Sequence, residues 1–158
     1  MTEQECFNLA LDFVLRWEGG YVHHKDDPGG ETSLGISKRA YPNEDIANMT
    51  KKRASEIYYN DYWVKSGADR DATYGDYGLA IFVFDSSVNC GVKRTRDWLI
   101  KANTLVFDRI KNHTYTSWEV VEELFKIRQE HYERQNKPMF IKGWMNRLSA
   151  LKTLLETL

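Results

Sequence analysis

Trp17-Glu18-Gly19-Gly20-Tyr21, with the polar run His23-His24-Lys25-Asp26-Asp27-Pro28-Gly29-Gly30-Glu31-Thr32 after it, decides how this chain is read. Two glycines directly after an acidic residue stop a helix, because glycine leaves helical dihedrals without a Cβ penalty. Upstream, Thr2-Glu3-Gln4-Glu5 carries the Ser/Thr-x-x-Glu pattern of a capping box. Phe7, Leu11, Val14 and Glu18 then recur at steps of four, three and four, one face of a 3.6-residue helix, with Leu15 on the neighbouring row. The spacing predicts a first helix from Thr2 to Glu18, with Glu18 on its buried stripe and Glu3, Asp12 and Arg16 facing water. Apolar walls and the negative end of the helix dipole both disfavour a charged carboxylate, so the expectation is an uncharged acid that can give up its proton. The plainer reading is that Glu18 pairs with an arginine and pins the first helix. The glycines, which leave room for a ligand at the backbone, tilt the balance toward chemistry.

Nine residues after Glu18 comes Asp27, and five after that Thr32. Asp27-Pro28-Gly29-Gly30 is a turn by composition, and Thr32 to Ile36 reads as a strand or half-hairpin closed by Gly35, with Ser37 as a helix cap. Such a turn can set Asp27 and Thr32 opposite Glu18. Two carboxyls flanking a glycosidic bond, one protonated and one charged, are the equipment of glycoside hydrolysis, and a nearby hydroxyl can orient a water. Asp26 competes with Asp27 for the second role, and Asp27 could simply cap the turn through its own backbone. A metal site at His23, His24, Asp26 and Asp27 is disfavoured, since adjacent histidines diverge and no helix sets them at ligand spacing. No metal and no cofactor is expected.

The rest of the chain reads as a helical scaffold. Its 158 residues carry 22 basic and 23 acidic side chains, for a net charge of −1, so nothing electrostatic demands nucleic acid or a membrane. No run of eighteen apolar residues predicts membrane insertion, and the acidic amphipathic N-terminus is unlike a signal peptide. Aromatic residues make up 13% of the chain, more than a core of this size needs, and rings suit the apolar faces of sugars. Cys6 and Cys90 are read as buried free thiols.

In order, Ser37 is expected to cap a short helix through Tyr41, ended by Pro42. Thr50 opens a helix from Lys51 to Val64, whose Tyr58, Tyr59 and Trp63 read as core. Ser66 to Tyr77 reads as loop. Gly78 to Phe84 is apolar all round and is expected to be a central helix wrapped by others, continuing through Asp85, Ser86, Ser87 and Asn89 to Gly91. Polar groups at the end of a buried helix must be satisfied somewhere or face a cleft, and Asn89 is the candidate for a substrate contact. Helices are expected over 93–106, from the capping box Thr116-Ser117-Trp118-Glu119 to about Gln135, and from Pro138 onward. His131 reads as structural.

The block Phe7-x-x-Ala10-Leu11-x-x-Val14-Leu15-x-x-Glu18-Gly19-Gly20-Tyr21-Val22, then Asp27-Pro28-Gly29-Gly30-x-Thr32-x-x-Gly35-Ile36, resembles the EGGY-type N-acetylmuramidases of glycoside hydrolase family 108. Asp61-Tyr62-Trp63, Phe84-Asp85-Ser86-Ser87-Val88-Asn89-Cys90-Gly91, and Gly143-Trp144 with Arg147 extend the likeness over most of the chain. The spacing from Glu18 to Asp27 to Thr32 is also similar to the phage-type lysozyme triad, in which the threonine falls one residue later. Ser33-Leu34 departs from the family's common Asn-Tyr, and His23-His24-Lys25 from its small polar residues.

The resemblance implies a mainly α, lysozyme-like domain over 1–158 with a small β-hairpin beside the active site. Residues from about 93 to 158 would correspond to the family's peptidoglycan-associated region, packed into the same unit. It implies Glu18 as catalytic acid. The similarity to the phage-type triad selects Asp27 over Asp26, either to steer a water with Thr32 or to stabilise or attack the anomeric centre directly. Tyr21 and Asn89 are the expected sugar contacts. The expected substrate is the glycan strand of bacterial peptidoglycan, cut by a monomer between N-acetylmuramic acid and N-acetylglucosamine. Its expected route is accumulation in the cytoplasm and release to the wall by a holin or a secretion system. A lytic transglycosylase and a non-catalytic peptidoglycan-binding module are the competing readings.

Overall fold

The computed structural model describes residues 1–22, 30–110 and 114–158. The first helix, α1 (Glu3–Trp17), begins as its capping box requires. Thr2 N donates to Glu5 Oε2 at 2.7 Å and Glu5 N to Thr2 Oγ1 at 3.2 Å. Its apolar stripe, Phe7, Ala10, Leu11 and Val14, is buried. Glu3 does not face water as its position suggested: its Oε1 accepts from the indole Nε1 of Trp63 at 2.5 Å. A buried indole N–H needs an acceptor, and the first turn of α1 supplies one.

Beyond α1 the chain makes a small antiparallel hairpin, β1 (Thr32–Ser33) and β2 (Ile36–Ser37), with Thr32 opposite Ser37 and Ser33 opposite Ile36. The two turn residues, Leu34 (φ 50°) and Gly35 (φ 76°), both take positive φ, the backbone that a two-residue hairpin turn requires. Val22 pairs with Thr32 through two hydrogen bonds of 2.8 and 2.9 Å, adding one bridge on the far side of β1. The expected helix from Ser37 to Tyr41 is absent. Ser37 belongs to β2, and the chain makes a single turn there, with Tyr41 N bonded to Ser37 O and Ala40 N to Ser37 Oγ.

Thr50 caps α2 (Lys51–Tyr58) through Arg53 N, and the helix continues as a π-wound run over Tyr59–Val64. That winding was not foreseen, because side-chain periodicity over six residues cannot separate it from an α-helix. It carries Trp63 into the core with Tyr58; both rings meet Phe84, at 5.4 and 6.2 Å. The expected loop after Ser66 contains a helix, α3 (Ala68–Thr73). Ala68 and Ala72, four apart, are buried, and three aspartates among the next residues hid that pattern.

At the centre runs α4 (Tyr77–Cys90), whose residues from Ala80 to Ser87 are all buried. α5 (Val92–Ile110), α6 (Ser117–Arg134) and α7 (Pro138–Leu155) complete the wrapping of α4 with α1 and α3. α5 runs four residues beyond its expected end. The fold is thus mainly α with one two-stranded hairpin, as the sequence implies. Cys6 is buried, Cys90 half-buried, and both are free. Among the described residues no helix is long and apolar enough to cross a membrane, and no group of three or more His, Cys, Asp or Glu could hold a metal ion.

The buried segment of α4 carries one charge, Asp85, and two arginines answer it. Arg128 Nη1 of α6 donates to Asp85 Oδ2 at 2.6 Å, and Arg147 Nε of α7 to Asp85 Oδ1 at 2.9 Å. Burial alone would push the Asp85 carboxyl up, but Arg128 and Arg147 outweigh it and hold it below the usual carboxylate range. Arg128, with no exposed surface, also donates to Ser86 Oγ and lies over the rings of Tyr132 (5.5 Å) and Phe82 (5.8 Å). Asp85→Ala would leave two buried guanidiniums facing each other. It should cost about 3–5 kcal/mol, a fall in Tm on the order of 10 °C by calorimetry.

A second prediction concerns pH. Burial, then the neighbouring charge of Asp76, raises the Asp71 carboxyl to about 6. The folded state therefore holds this proton more tightly than the unfolded chain, where the carboxyl titrates near 4. Its contribution to stability is present below about pH 4 and is lost as pH rises through 6. Urea midpoints of the wild type should fall between these values relative to those of Asp71→Asn. The variant should be the more stable protein at pH 7.

Candidate active site

Glu18 sits at the end of α1 as its C-cap. It has already left helical backbone (φ −84°, ψ 133°), and its own N–H closes the last turn on Val14 O at 3.1 Å. Its surroundings correct the expectation of apolar walls. Arg147 Nη1 donates to Glu18 Oε1 at 2.9 Å, and the Glu18 side chain keeps 23% of its surface exposed. The buried stripe of α1 ends one turn earlier, at Val14, so the last position of the pattern emerges at an arginine-lined edge of the core. The pairing that the plainer reading proposed is present.

The arginine is not free to wander. Its Nε and Nη2 stand 2.9 and 2.7 Å from Asp85 Oδ1, and its side chain is 6% exposed. Burial opposes the Arg147 charge, but the two carboxylates outweigh that and push its ionisation further up. Asp85 is in turn fixed by Arg128. Glu18, Arg147, Asp85 and Arg128 form one chain of alternating charge from the surface to the centre of the fold.

Above Glu18 lies the hairpin turn. A Cβ on Gly35 would stand 2.9 Å from Glu18 Cγ and 3.0 Å from Glu18 Oε2, and would overlap the Tyr58 hydroxyl. Tyr58 donates that hydroxyl to Leu34 O at 2.9 Å, pegging the turn to α2. Burial, and then the Glu18 charge, push the Tyr58 hydroxyl well up, so it stays a neutral donor. The roof over Glu18 is therefore bare backbone, fixed from below.

The other expected site residues divide. Thr32 is in β1, two residues before the turn over Glu18, and its hydroxyl has no hydrogen-bond partner among the described residues. Tyr21 is half-exposed beside the Val22 bridge. Asn89 lies one turn beyond Asp85 on α4 and accepts a hydrogen bond from the Tyr132 hydroxyl at 2.6 Å. Asp27, its competitor Asp26, and His23 and His24 lie outside the described residues.

Tyr58 was read only as core, Asp85 and Arg147 only as part of the family likeness and Arg128 not at all; none was given a place at the site. Asp85 in an otherwise apolar helix was the signal, since a lone buried carboxylate demands cations. Arg128 and Tyr132 fall four and eight residues after Leu124, on the buried face of α6. His131 fits its structural reading: its ring packs on Trp98 at 5.1 Å, and Gln135 Nε2 is 3.2 Å away.

Gly35→Ala would force a side chain into both a positive-φ position and the space of Glu18 and Tyr58. It should lower kcat/KM on peptidoglycan at least tenfold and Tm by several degrees. Gly30→Ala, at a positive-φ position where the nearest atom to a new Cβ is Lys38 Cβ at 3.6 Å, should cost the fold a strained backbone but leave Glu18 unobstructed. Turbidity clearing and thermal melts of the pair separate the two effects.

The sequence profile of the family Glycosyl hydrolase 108 matches residues 11–91, the span from α1 to the end of α4. No curated protein matches. Among solved structures, SagA of Brucella abortus superposes with a TM-score of 0.72 at 25% sequence identity, over 98% of this chain and 95% of that one. With Glu18, the hairpin and Asp85 all inside the matched span, the chain belongs to the glycosyl hydrolase 108 family and is a glycoside hydrolase of the lysozyme kind, acting on peptidoglycan.

Proposed function

We propose that the protein is an N-acetylmuramidase that cleaves the β-1,4 bond between N-acetylmuramic acid and N-acetylglucosamine, with Glu18 as its general acid. One observation carries this reading. Glu18 stands partly exposed where α1 ends, under a glycine roof, with Oε1 committed to Arg147 and Oε2 turned to the roof. On this reading the transferred proton leaves from Oε2, the oxygen that Arg147 does not engage. It passes to the bridging oxygen as the bond from that oxygen to the anomeric carbon breaks, and positive charge builds on the sugar.

Proton transfer leaves a carboxylate on Glu18, and Arg147 is already in place to meet that charge. A donor positioned before the reaction needs no reorganisation during it, which is where electrostatic catalysis gains most. Asp27 and the hydroxyl of Thr32 would orient the water that attacks the anomeric carbon. Tyr21, exposed next to the Val22 bridge, would contact the glycan. Residues from about 93 to 158 belong to this same catalytic unit, a reading supported by Arg147 of α7 reaching Glu18.

The test is mass spectrometry of muropeptides released from purified sacculi by the wild type and by Glu18→Gln. The wild type should yield products with reducing N-acetylmuramic acid ends. The variant should keep its Tm within a few degrees and lose at least about a thousandfold in turnover, the scale on which single catalytic groups act. Anhydro products one water lighter would replace this reading with a lytic transglycosylase. Sugar binding without turnover by the wild type would replace it with a binding module.

A further inference from the structure

Asn89 is held by a run of hydrogen bonds that begins on a buried charge and has only one polarity. Arg128 Nε lies 2.7 Å from the Tyr132 hydroxyl oxygen. A guanidinium can only donate, so Tyr132 accepts there and directs its own single proton elsewhere. That proton goes to Asn89 Oδ1, 2.6 Å away. The Cys90 thiol, 3.3 Å from the same oxygen, is a second donor to it. With its oxygen facing Tyr132, the amide accepts from both the hydroxyl and the thiol.

The consequence falls on the other end of the amide. Asn89 is half-buried, and its Nδ2 has no hydrogen-bond partner among the described residues. Two N–H donors are thereby aimed away from Tyr132 with their identity fixed. Aromatic rings flank the position. Trp144 stacks on Tyr132 at 5.2 Å and 25°, and Phe140, 53% exposed, stacks on Trp144 at 5.8 Å and 20°. Asn89 is four residues from Asp85, about 6 Å along α4, and Asp85 holds the arginine that holds Glu18.

We propose that Asn89 Nδ2 is a specificity-determining donor that takes the carbonyl oxygen of an N-acetyl group on the sugar, with the Trp144–Phe140 pair against the apolar part of the same sugar unit. An acetamido carbonyl oxygen only accepts, so a donor of fixed polarity selects it. A hydroxyl can turn to either role and would gain little from the fixed polarity, and a protonated amine in its place would be repelled. The inference rests on the muramidase reading above and deepens it, assigning the group on the substrate that is read and the buried chain, Arg128 to Tyr132 to Asn89, that prepares the reader.

The experiment compares kcat/KM on purified glycan strands with that on the same strands after chemical de-N-acetylation, with Tm recorded for every variant. The wild type should favour the acetylated strands. In Asn89→Ala this preference should fall about tenfold, the scale of one hydrogen bond left unmade. In Asn89→Asp, with acceptors where donors stood, it should fall further. Tyr132→Phe retains the ring stack and Asn89 itself but removes the proton that orients the amide, and the preference should fall by a smaller factor. A merely structural Asn89 would lower both rates together and leave their ratio unmoved, which overturns the proposal, as does a wild type with no preference. Glu18→Gln, run beside them, separates the two levels. Turnover that is present and depends on Glu18, with a ratio insensitive to Asn89, sinks this inference alone. A wild type with no turnover sinks both.

Discussion

The carboxylate of Asp85, with no exposed surface and an arginine on each oxygen, is the constraint on which the rest of the molecule depends. A single charge at the middle of a core helix is too costly to bury alone. The sequence therefore has to bring cations to it from two other helices. Arg128 arrives from α6 and Arg147 from α7, and each arrives with remaining donors to spend. Arg147 spends one on Glu18 at the end of α1, so that four helices meet through one set of charges. An apolar cluster of equal volume could hold these helices as firmly. The ionic pairs also fix where along each helix the contact falls, and with it the position of Glu18.

The second support comes from the opposite side and uses no charge at all. The turn at Leu34 and Gly35 rests on Tyr58, and its missing Cβ leaves room for both the tyrosine hydroxyl and the Glu18 side chain. The acid is thus set between a rigid ionic chain below and a stretch of bare backbone above. One oxygen is bound by each arrangement differently: Oε1 is held, and Oε2 is merely enclosed. That asymmetry suits the proton-donor role proposed for Glu18, since the oxygen that gives up the proton is not the one that anchors the group.

How much of this was legible follows from the range of each signal. The helix before Glu18, the glycine stop, the central apolar helix and both capping boxes are local patterns, and each is found where its residues place it. The hairpin was legible because Gly35 and its neighbours are turn chemistry. The partner of Glu18 was not, since it lies 129 positions away, and no periodicity connects α1 to α7. The same limit explains the reading of apolar walls: the stripe Phe7, Leu11, Val14 continues in phase to Glu18, but the core ends before it does. Helix α3 was missed because its aspartates read as turn, although Ala68 and Ala72 were spaced to be buried.

The π-wound run Tyr59–Val64 amounts to a helix carrying one residue more than regular winding would use. An insertion of that kind survives only where every ring it displaces finds a new seat. Here Tyr58 stands under the hairpin, Tyr59 meets Phe7 edge-on at 5.0 Å, and Trp63 is tied to Glu3. Once those seats are taken the surplus residue is locked in by its own neighbours. A descendant that dropped it would regain an unbroken ladder, yet would swing either the ring that serves the hairpin or the ring that fills the interior by about 100°. A change of length in this segment would therefore disturb the hairpin and the interior together, while a substitution on its outer face would not.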